Sequence, residues 1–84
     1  MPVKITIEYC LTWHFTENAA SLATELLVLY EKKIESISVL PSTAMGDFEV
    51  KLDGKLIYSK RASGRLPHPG EVEQLLAAQL FRGK

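Results

Sequence analysis

The chain has 84 residues, of which 46% are hydrophobic and 24% charged, and ten basic side chains balance ten acidic ones. This length allows one hydrophobic core, so we expect a single domain over residues 1–84 with the composition of a globular protein. A zero net charge without a basic stripe argues against nucleic acid as a partner.

The sequence also argues against secretion and against insertion into a membrane. The N-terminus enters a strand pattern almost at once and lacks the charged start, apolar run and cleavage site of a secretory signal. No segment approaches the roughly 18 apolar residues of a membrane span. Cys10 is the only cysteine, which excludes an internal disulfide, so we expect a protein of the reducing cytoplasm.

The first half of the chain predicts a strand, a helix and a second strand. Residues 3–9 alternate apolar and polar side chains, which indicates a strand with one buried face. From Thr16 to about Ile34, apolar residues recur every three or four positions, as in an amphipathic helix. Ser36 to Leu40 is rich in β-branched residues and stops at Pro41, which predicts a strand that the helical crossover makes parallel to the first.

The second half predicts a hairpin and a last helix. After a small-residue loop at 42–46, residues 47–53 alternate again, Asp53-Gly54 supplies a two-residue turn, and 55–59 return as the paired strand. A polar connection, 60–68, leads to a helix that begins near Pro69, with a predicted buried face of Val72, Leu75, Leu76, Gln79 and Leu80. The order β-α-β-β-β-α predicts an α/β two-layer sandwich, in which two helices cover one face of a four-stranded mixed sheet.

Cys10 is the main candidate for a functional residue. It lies where the first strand ends and a helix is about to begin, and backbone N–H groups at a helix start stabilise a thiolate. This effect is felt at Cys10 if Thr12 is the N-cap of the helix, and it has decayed if Thr16 is the N-cap. Cys10 is therefore either a reactive thiol or a small buried hydrophobic group.

Four motifs place the chain close to one family of small proteins. They are Tyr9-Cys10 after the first strand and the segments GDFEV at 46–50, DGKLIYS at 53–59 and GRLP at 64–67. Together they resemble the Rdx family of thioredoxin-like proteins, which includes selenoprotein W. The resemblance implies a thioredoxin-like fold and a thiol redox function, with protein clients or glutathione as partners and no bound cofactor or metal.

The chain departs from that family at one position. The family carries Cys-x-x-Cys or Cys-x-x-selenocysteine, whereas this chain reads Cys10-Leu11-Thr12-Trp13. Because an indole forms no disulfide, the resemblance implies at most a single-thiol reaction of Cys10 with glutathione or another protein, or a disulfide-linked dimer through Cys10. The tryptophan codon UGG differs by one base from UGA, so we also hypothesise that Trp13 replaces a selenocysteine.

Other residues of the loop support a different hypothesis. In this hypothesis the protein is a binding module without redox activity, and the loop from Leu11 to Phe15 contacts a protein partner through Trp13. Alternatively, Phe15 packs on the first helical turn and Trp13 covers the sheet edge. His14 is either a base beside the thiol or a solvated side chain. Cys10, His14 and His68 fall short of the four donors of a closed zinc site, so no metal is expected.

The basic side chains of the second half also allow two interpretations. They either hold a carboxylate, such as those of glutathione, or form an ordinary solvated face. The residues concerned are Lys55, Lys60, Arg61 and Arg65.

Overall fold

A computed structural model describes residues 2–43 and 47–80 of the chain. Its elements, in chain order, are β1 (Val3–Cys10), α1 (Thr16–Tyr30), β2 (Ile34–Ser42), β3 (Phe48–Leu52), β4 (Lys55–Ser59), α2 (Lys60–Ser63) and α3 (Glu71–Leu80). A 3₁₀ turn over Glu31–Lys33 joins α1 to β2. The predicted order is confirmed, with the short α2 added inside the polar connection. No helix within 2–43 or 47–80 is long and apolar enough to cross a bilayer.

The four strands form one mixed sheet in the order β2-β1-β3-β4. β1 pairs with β2 in parallel and with β3 antiparallel, and β3 pairs antiparallel with β4. The parallel pair follows from the helical crossover, which returns the chain to the same end of the sheet, while the antiparallel pair follows from the tight hairpin. β1 is therefore a central strand, and its last residue lies at one end of the sheet.

One face of this sheet and the inner faces of two helices form the core. On β1 the residues Ile5, Ile7 and Tyr9 stand opposite Leu52, Val50 and Phe48 of β3, and all six are buried. Burying one such side chain contributes about 1.5–3 kcal/mol relative to leaving it exposed. The same cluster contains the inward residues of both long helices, as predicted for a two-layer sandwich: Ala19, Leu22, Ala23 and Leu26 of α1 with Val72 and Leu76 of α3.

The second strand is longer than the sequence predicted. It runs Ile34–Ser42 and includes Pro41, which is tolerated because β2 is an edge strand of the sheet. The predicted helix to Ile34 ends at Tyr30, and Ile34 instead opens β2 as a buried residue. An irregular register between Val3 and Lys4 inserts one extra residue into β2, so that Ile34 and Ile37 both pack on the core.

The last helix begins later than predicted. α3 starts at Glu71, and the preceding Gly70 has a φ of +83°, which ends the connection in a turn rather than a helix. Of its predicted buried face, Val72 and Leu76 are buried, whereas Leu75, Gln79 and Leu80 are half-buried. Ala44, Met45 and Gly46 of the predicted small-residue loop lie outside the described residues.

The hairpin turn between β3 and β4 is tied to the start of β1. Asp53 and Gly54 have φ values of +50° and +85°, which is the backbone of a two-residue type I′ turn. The backbone N–H of Lys4 donates to the Asp53 carboxylate at 2.9 Å, and the N–H of Asp53 donates to the carbonyl of Lys4 at 2.8 Å. Asp53 thus fixes both the turn and its position against the central strand.

We expect Asp53→Ala to lower the free energy of unfolding by about 1–3 kcal/mol, since alanine is strained at positive φ and accepts no bond from Lys4. Asp53→Asn should cost less than about 1 kcal/mol, because asparagine tolerates this backbone and keeps an acceptor oxygen. Urea denaturation of both variants checks the comparison. An equal loss in the two variants would contradict this account of the turn.

Candidate functional site at the end of the first strand

Cys10 is the last residue of β1, and it is buried, with 1% of its surface exposed. Its N–H donates to the carbonyl of Asp47 at 2.7 Å, and it stands opposite Ser42 of β2. Cys10 is one of the buried hydrophobic residues of the core, and its neighbours at this end of β1, Ser42 and Asp47, are polar. The thiol is therefore held at the polar end of the sheet, beside both ends of the connection between β2 and β3.

A tight turn separates Cys10 from the first helix. The N–H of His14 donates to the carbonyl of Leu11 at 3.0 Å, and His14 has a φ of +60°, a region that histidine adopts more readily than most residues. The N-cap of α1 is Phe15, without a side-chain capping bond, so neither Thr12 nor Thr16 has that role. The turn returns the chain to the end of β1, because the N–H of Phe15, the N-cap residue, donates to the carbonyl of Cys10 at 3.4 Å.

Three aromatic rings lead from the surface of this turn into the core. The Trp13 and Phe15 ring centroids are 6.0 Å apart and nearly perpendicular, and those of Phe15 and Phe48 are 6.2 Å apart in the same edge arrangement. We call Trp13, Phe15 and Phe48 the aromatic ladder. Phe48 is buried, Phe15 is half-buried and Trp13 is 48% exposed, so the ladder holds Trp13 in place while leaving much of its surface open.

The ladder combines both placements that the sequence suggested. Phe15 packs inward, and Trp13 covers it at the edge of the site, with the ammonium of Lys60 5.0 Å from the centroid of the Trp13 ring. This is a cation–π distance. Leu11, at 55% exposure, and the exposed Thr12 and His14 complete the surface of the turn.

A polar cluster flanks Cys10 on the side of β3. The carboxylate of Asp47 is buried and forms an ion pair with Arg61 of α2, and it also accepts a bond from the Ser42 hydroxyl at 3.3 Å. Asp47 and Ser42 are not among the site residues that the sequence predicts. The only signal was the position of Asp47 directly before β3, inside one of the four motifs, since its burial depends on contacts with distant residues.

The four basic residues do not converge on one anion site. Lys60 lies over Trp13, Arg61 binds Asp47, Lys55 donates to Gln79 at 3.4 Å, and Arg65 binds Glu71. Each side chain thus has its own contact within the described part of the chain. No group of three histidine, cysteine, aspartate or glutamate residues within 2–43 and 47–80 is arranged to hold a metal ion.

The connection from α2 to α3 is closed by one ion pair. Arg65 donates two bonds to the carboxylate of Glu71, at 2.7 and 2.9 Å, and the N–H of His68 donates to the same carboxylate at 2.9 Å. The bonds from Arg65, followed by the bond from His68, lower the pKa of Glu71 to about 2. Tyr58 adds a bond from its hydroxyl to the carbonyl of Arg65 at 2.6 Å.

With this geometry established, comparison with known proteins decides the family. A model of the Rdx family matches residues 4–78. The chain belongs to the Rdx family. Membership indicates a thioredoxin-like redox protein.

Solved structures give the same result for the fold. A selenoprotein W-related protein from Vibrio cholerae is 26% identical, has a TM-score of 0.88, and the match covers 94% of this chain and 98% of that one. A protein from Bordetella parapertussis, 24% identical, also has a TM-score of 0.88, with 94% and 99% covered; at this identity it supports the fold alone. The comparison with curated proteins found no match.

The Arg65–Glu71 pair predicts a pH-dependent stability. Because the folded-state pKa of Glu71 is depressed, its contribution is present above the unfolded value and is lost as the pH falls through the folded value of about 2. Glu71→Gln should therefore lower the urea midpoint at pH 7, and the difference from the wild-type midpoint should shrink as the pH falls toward 2. Glu31→Gln, at an exposed position on the 3₁₀ turn, is the control. A Glu71→Gln deficit that is the same at every pH would contradict the role of the charge.

Proposed function

We propose that this Rdx protein takes part in thiol exchange in the reducing cytoplasm, with Cys10 as its single reactive sulfur. The observation that supports the proposal is the position of Cys10, which ends the central strand beside polar residues and directly before the exposed turn 11–14. Membership of the Rdx family, which indicates a thioredoxin-like redox protein, is the second support.

The exchange needs no second sulfur in the chain. The Cys10 thiol loses its proton to solvent, and the thiolate attacks the glutathione sulfur of a mixed disulfide between glutathione and a client protein. A mixed disulfide forms between Cys10 and that glutathione, and the client sulfur leaves as a thiolate. A glutathione thiolate then attacks the glutathione sulfur of the Cys10 mixed disulfide, which regenerates the Cys10 thiolate and releases oxidised glutathione. In the absence of a client, oxidised glutathione forms the same Cys10 adduct.

The burial of Cys10 determines how fast this reaction runs. The attacking sulfur must be accessible to the disulfide. Because only 1% of the surface of Cys10 is exposed, its thiol reacts only after a local opening of the structure. The bond from Cys10 to Asp47, and the contacts of Asp47 with Arg61 and Ser42, oppose such an opening. The rate of exchange should therefore follow the stability of this polar cluster.

We expect Arg61→Ala to accelerate the modification of Cys10 by oxidised glutathione several-fold, because it removes the partner of the buried Asp47 carboxylate. Lys51→Ala, which removes an exposed cation from the neighbouring strand, should leave the rate unchanged. Mass spectrometry over time measures the adduct and separates it from a Cys10-linked dimer, and Cys10→Ser should give neither product.

One result would end the redox proposal. If neither adduct nor dimer forms on the folded protein, while the urea-unfolded chain reacts readily, Cys10 is a structural residue. The unfolded sample shows that the sulfur itself is intact, so the failure would be a property of the fold.

A second function is favoured by the exposure of Trp13. Its ring is half exposed yet held by the aromatic ladder and by Lys60, and the adjacent Leu11 is also exposed. Large apolar side chains that are fixed before binding lose little conformational entropy on contact with a partner. The alternative is thus a protein-binding module that uses the turn 11–14 and does not need the thiol.

Site-specific photo-crosslinking in cells tests this alternative. A benzoylphenylalanine probe at Thr12 should give a discrete crosslinked product that is lost with Trp13→Ala and kept with Cys10→Ser. The same probe at Val28, an exposed apolar residue of α1, should not give that product. A product that survives Trp13→Ala would show that Trp13 is not the contact residue.

A further inference from the structure

A cleft separates the first half of α1 from the segment 66–70 and the start of α3. Its volume is about 330 Å³, within the range of roughly 300–1,000 Å³ that is usual for ligand sites. The buried side chains of Leu22, Phe48 and Val72 form its apolar floor. Residues 66–70 form its outer wall, and the ion pair between Arg65 and Glu71 joins the two ends of this segment.

The rim of this cleft is acidic. Glu17 and Glu25 of α1 face Glu73 of α3 across it, and none of the described lining residues is a lysine or an arginine. A hydrogen bond to Glu73, with a smaller effect of burial and of the Glu73 charge, raises the pKa of Glu25. Carboxylates that a protein brings together without a cation repel each other, so a positive group placed between them is stabilised.

The N-termini of the two helices at the cleft do not reverse its preference for a positive group. Glu17 lies in the first turn of α1 and Glu73 in the first turn of α3, so two helix N-termini lie near the rim. Each N-terminus is equivalent to about half a positive charge, which gives about +1 in total, against −3 from the three carboxylates when they are ionised. The field in the cleft therefore favours a cation over an anion.

The apolar floor distinguishes between kinds of cation. A divalent metal ion requires several close oxygen ligands, and the histidine, cysteine, aspartate and glutamate residues within 2–43 and 47–80 include no group of three that is placed to hold a metal ion. A lysine or arginine side chain suits the cleft better, because its methylene stem packs on apolar residues while its charged head reaches the rim.

The position of the cleft indicates where such a side chain comes from. Phe48 forms part of the floor, and it is also the innermost ring of the aromatic ladder that ends at Trp13. The exposed turn and the cleft are thus linked through the ring contacts of Phe15 and Phe48. A partner polypeptide bound at the turn is the source of the side chain that we consider for the cleft.

We propose that this cleft binds an arginine- or lysine-bearing segment of a partner protein, with the apolar stem on Phe48, Leu22 and Val72 and the charged head at the rim beside the carboxylates of Glu25 and Glu73. This interaction goes beyond the proposed exchange and does not rest on the reactivity of Cys10. Cys10→Ser should bind such a segment as wild type does, so a failure of the exchange and a failure of the docking are separate results.

The probe is an acetylated, amidated hexapeptide in which a leucine separates two arginines, titrated at pH 7.5 into the full-length ¹⁵N-labelled protein. We expect amide shifts in the first half of α1 and in residues 66–73. The double variant Glu25→Gln with Glu73→Gln should weaken binding at least tenfold. Its matched control, Glu31→Gln with Glu35→Gln, changes the net charge equally at exposed positions outside the cleft and should bind as wild type. The spectra also show whether each variant is folded.

Several results would overturn the proposal. Equal weakening in both double variants would show a general effect of net charge, and shifts confined to other surfaces would place the peptide elsewhere. Binding of the same peptide with glutamates in place of its arginines would remove the role of charge. Tighter binding of spermine or Mg²⁺ than of the peptide, with the same shifts, would identify a free cation rather than a protein segment as the occupant.

Discussion

The structure depends above all on the burial of one face of β1. Ile5, Ile7 and Tyr9 pair with β3 on one side and with β2 on the other, and both helices pack on the face that they form. Because strand side chains alternate, fixing these three residues against the helices also fixes the register of both neighbours. The end of β1, and with it Cys10, is thereby set at one edge of the sheet between Ser42 and Asp47.

This position places two structural features beside Cys10. The turn 11–14 brings Phe15, the N-cap residue of α1, back to the carbonyl of Cys10, and a polar cluster centred on the buried Asp47 carboxylate lies on the side of β3. Burying a carboxylate is costly unless it is paired, and Arg61 and Ser42 supply the partners. The same contacts that stabilise this end of the sheet restrict access to the sulfur, which couples reactivity to local stability.

The aromatic ladder joins the two surfaces on which a partner can act. Its outer ring, Trp13, lies in the turn after Cys10, and its inner ring, Phe48, forms part of the floor of the acidic cleft. Because Cys10 is the only cysteine of the chain, the turn after it presents an exposed aromatic ring and no second thiol. Recognition and thiol chemistry are therefore neighbouring but separable properties of this fold.

The sequence by itself determined the order of the strands and helices, the hairpin at Asp53-Gly54 and the family. The order and the hairpin rest on periodicity and on local turn chemistry, which are properties of neighbouring residues, whereas the family rests on the resemblance of four short motifs. It misplaced the ends of elements: α1 stops at Tyr30, β2 continues through Pro41, and α3 starts at Glu71. Pro41 shows the reason, because a proline is acceptable in a strand only at a sheet edge, and edges are a property of the assembled sheet.

Only the tertiary structure decided the state of the candidate site. The burial of Cys10, the ion pair between Asp47 and Arg61 and the ring contacts of Trp13 all join residues from different elements. The acidic cleft likewise appears only when α1 and α3 pack beside each other. Spacing along the chain cannot report such contacts, because they depend on the packing of whole elements and not on the identity of sequence neighbours.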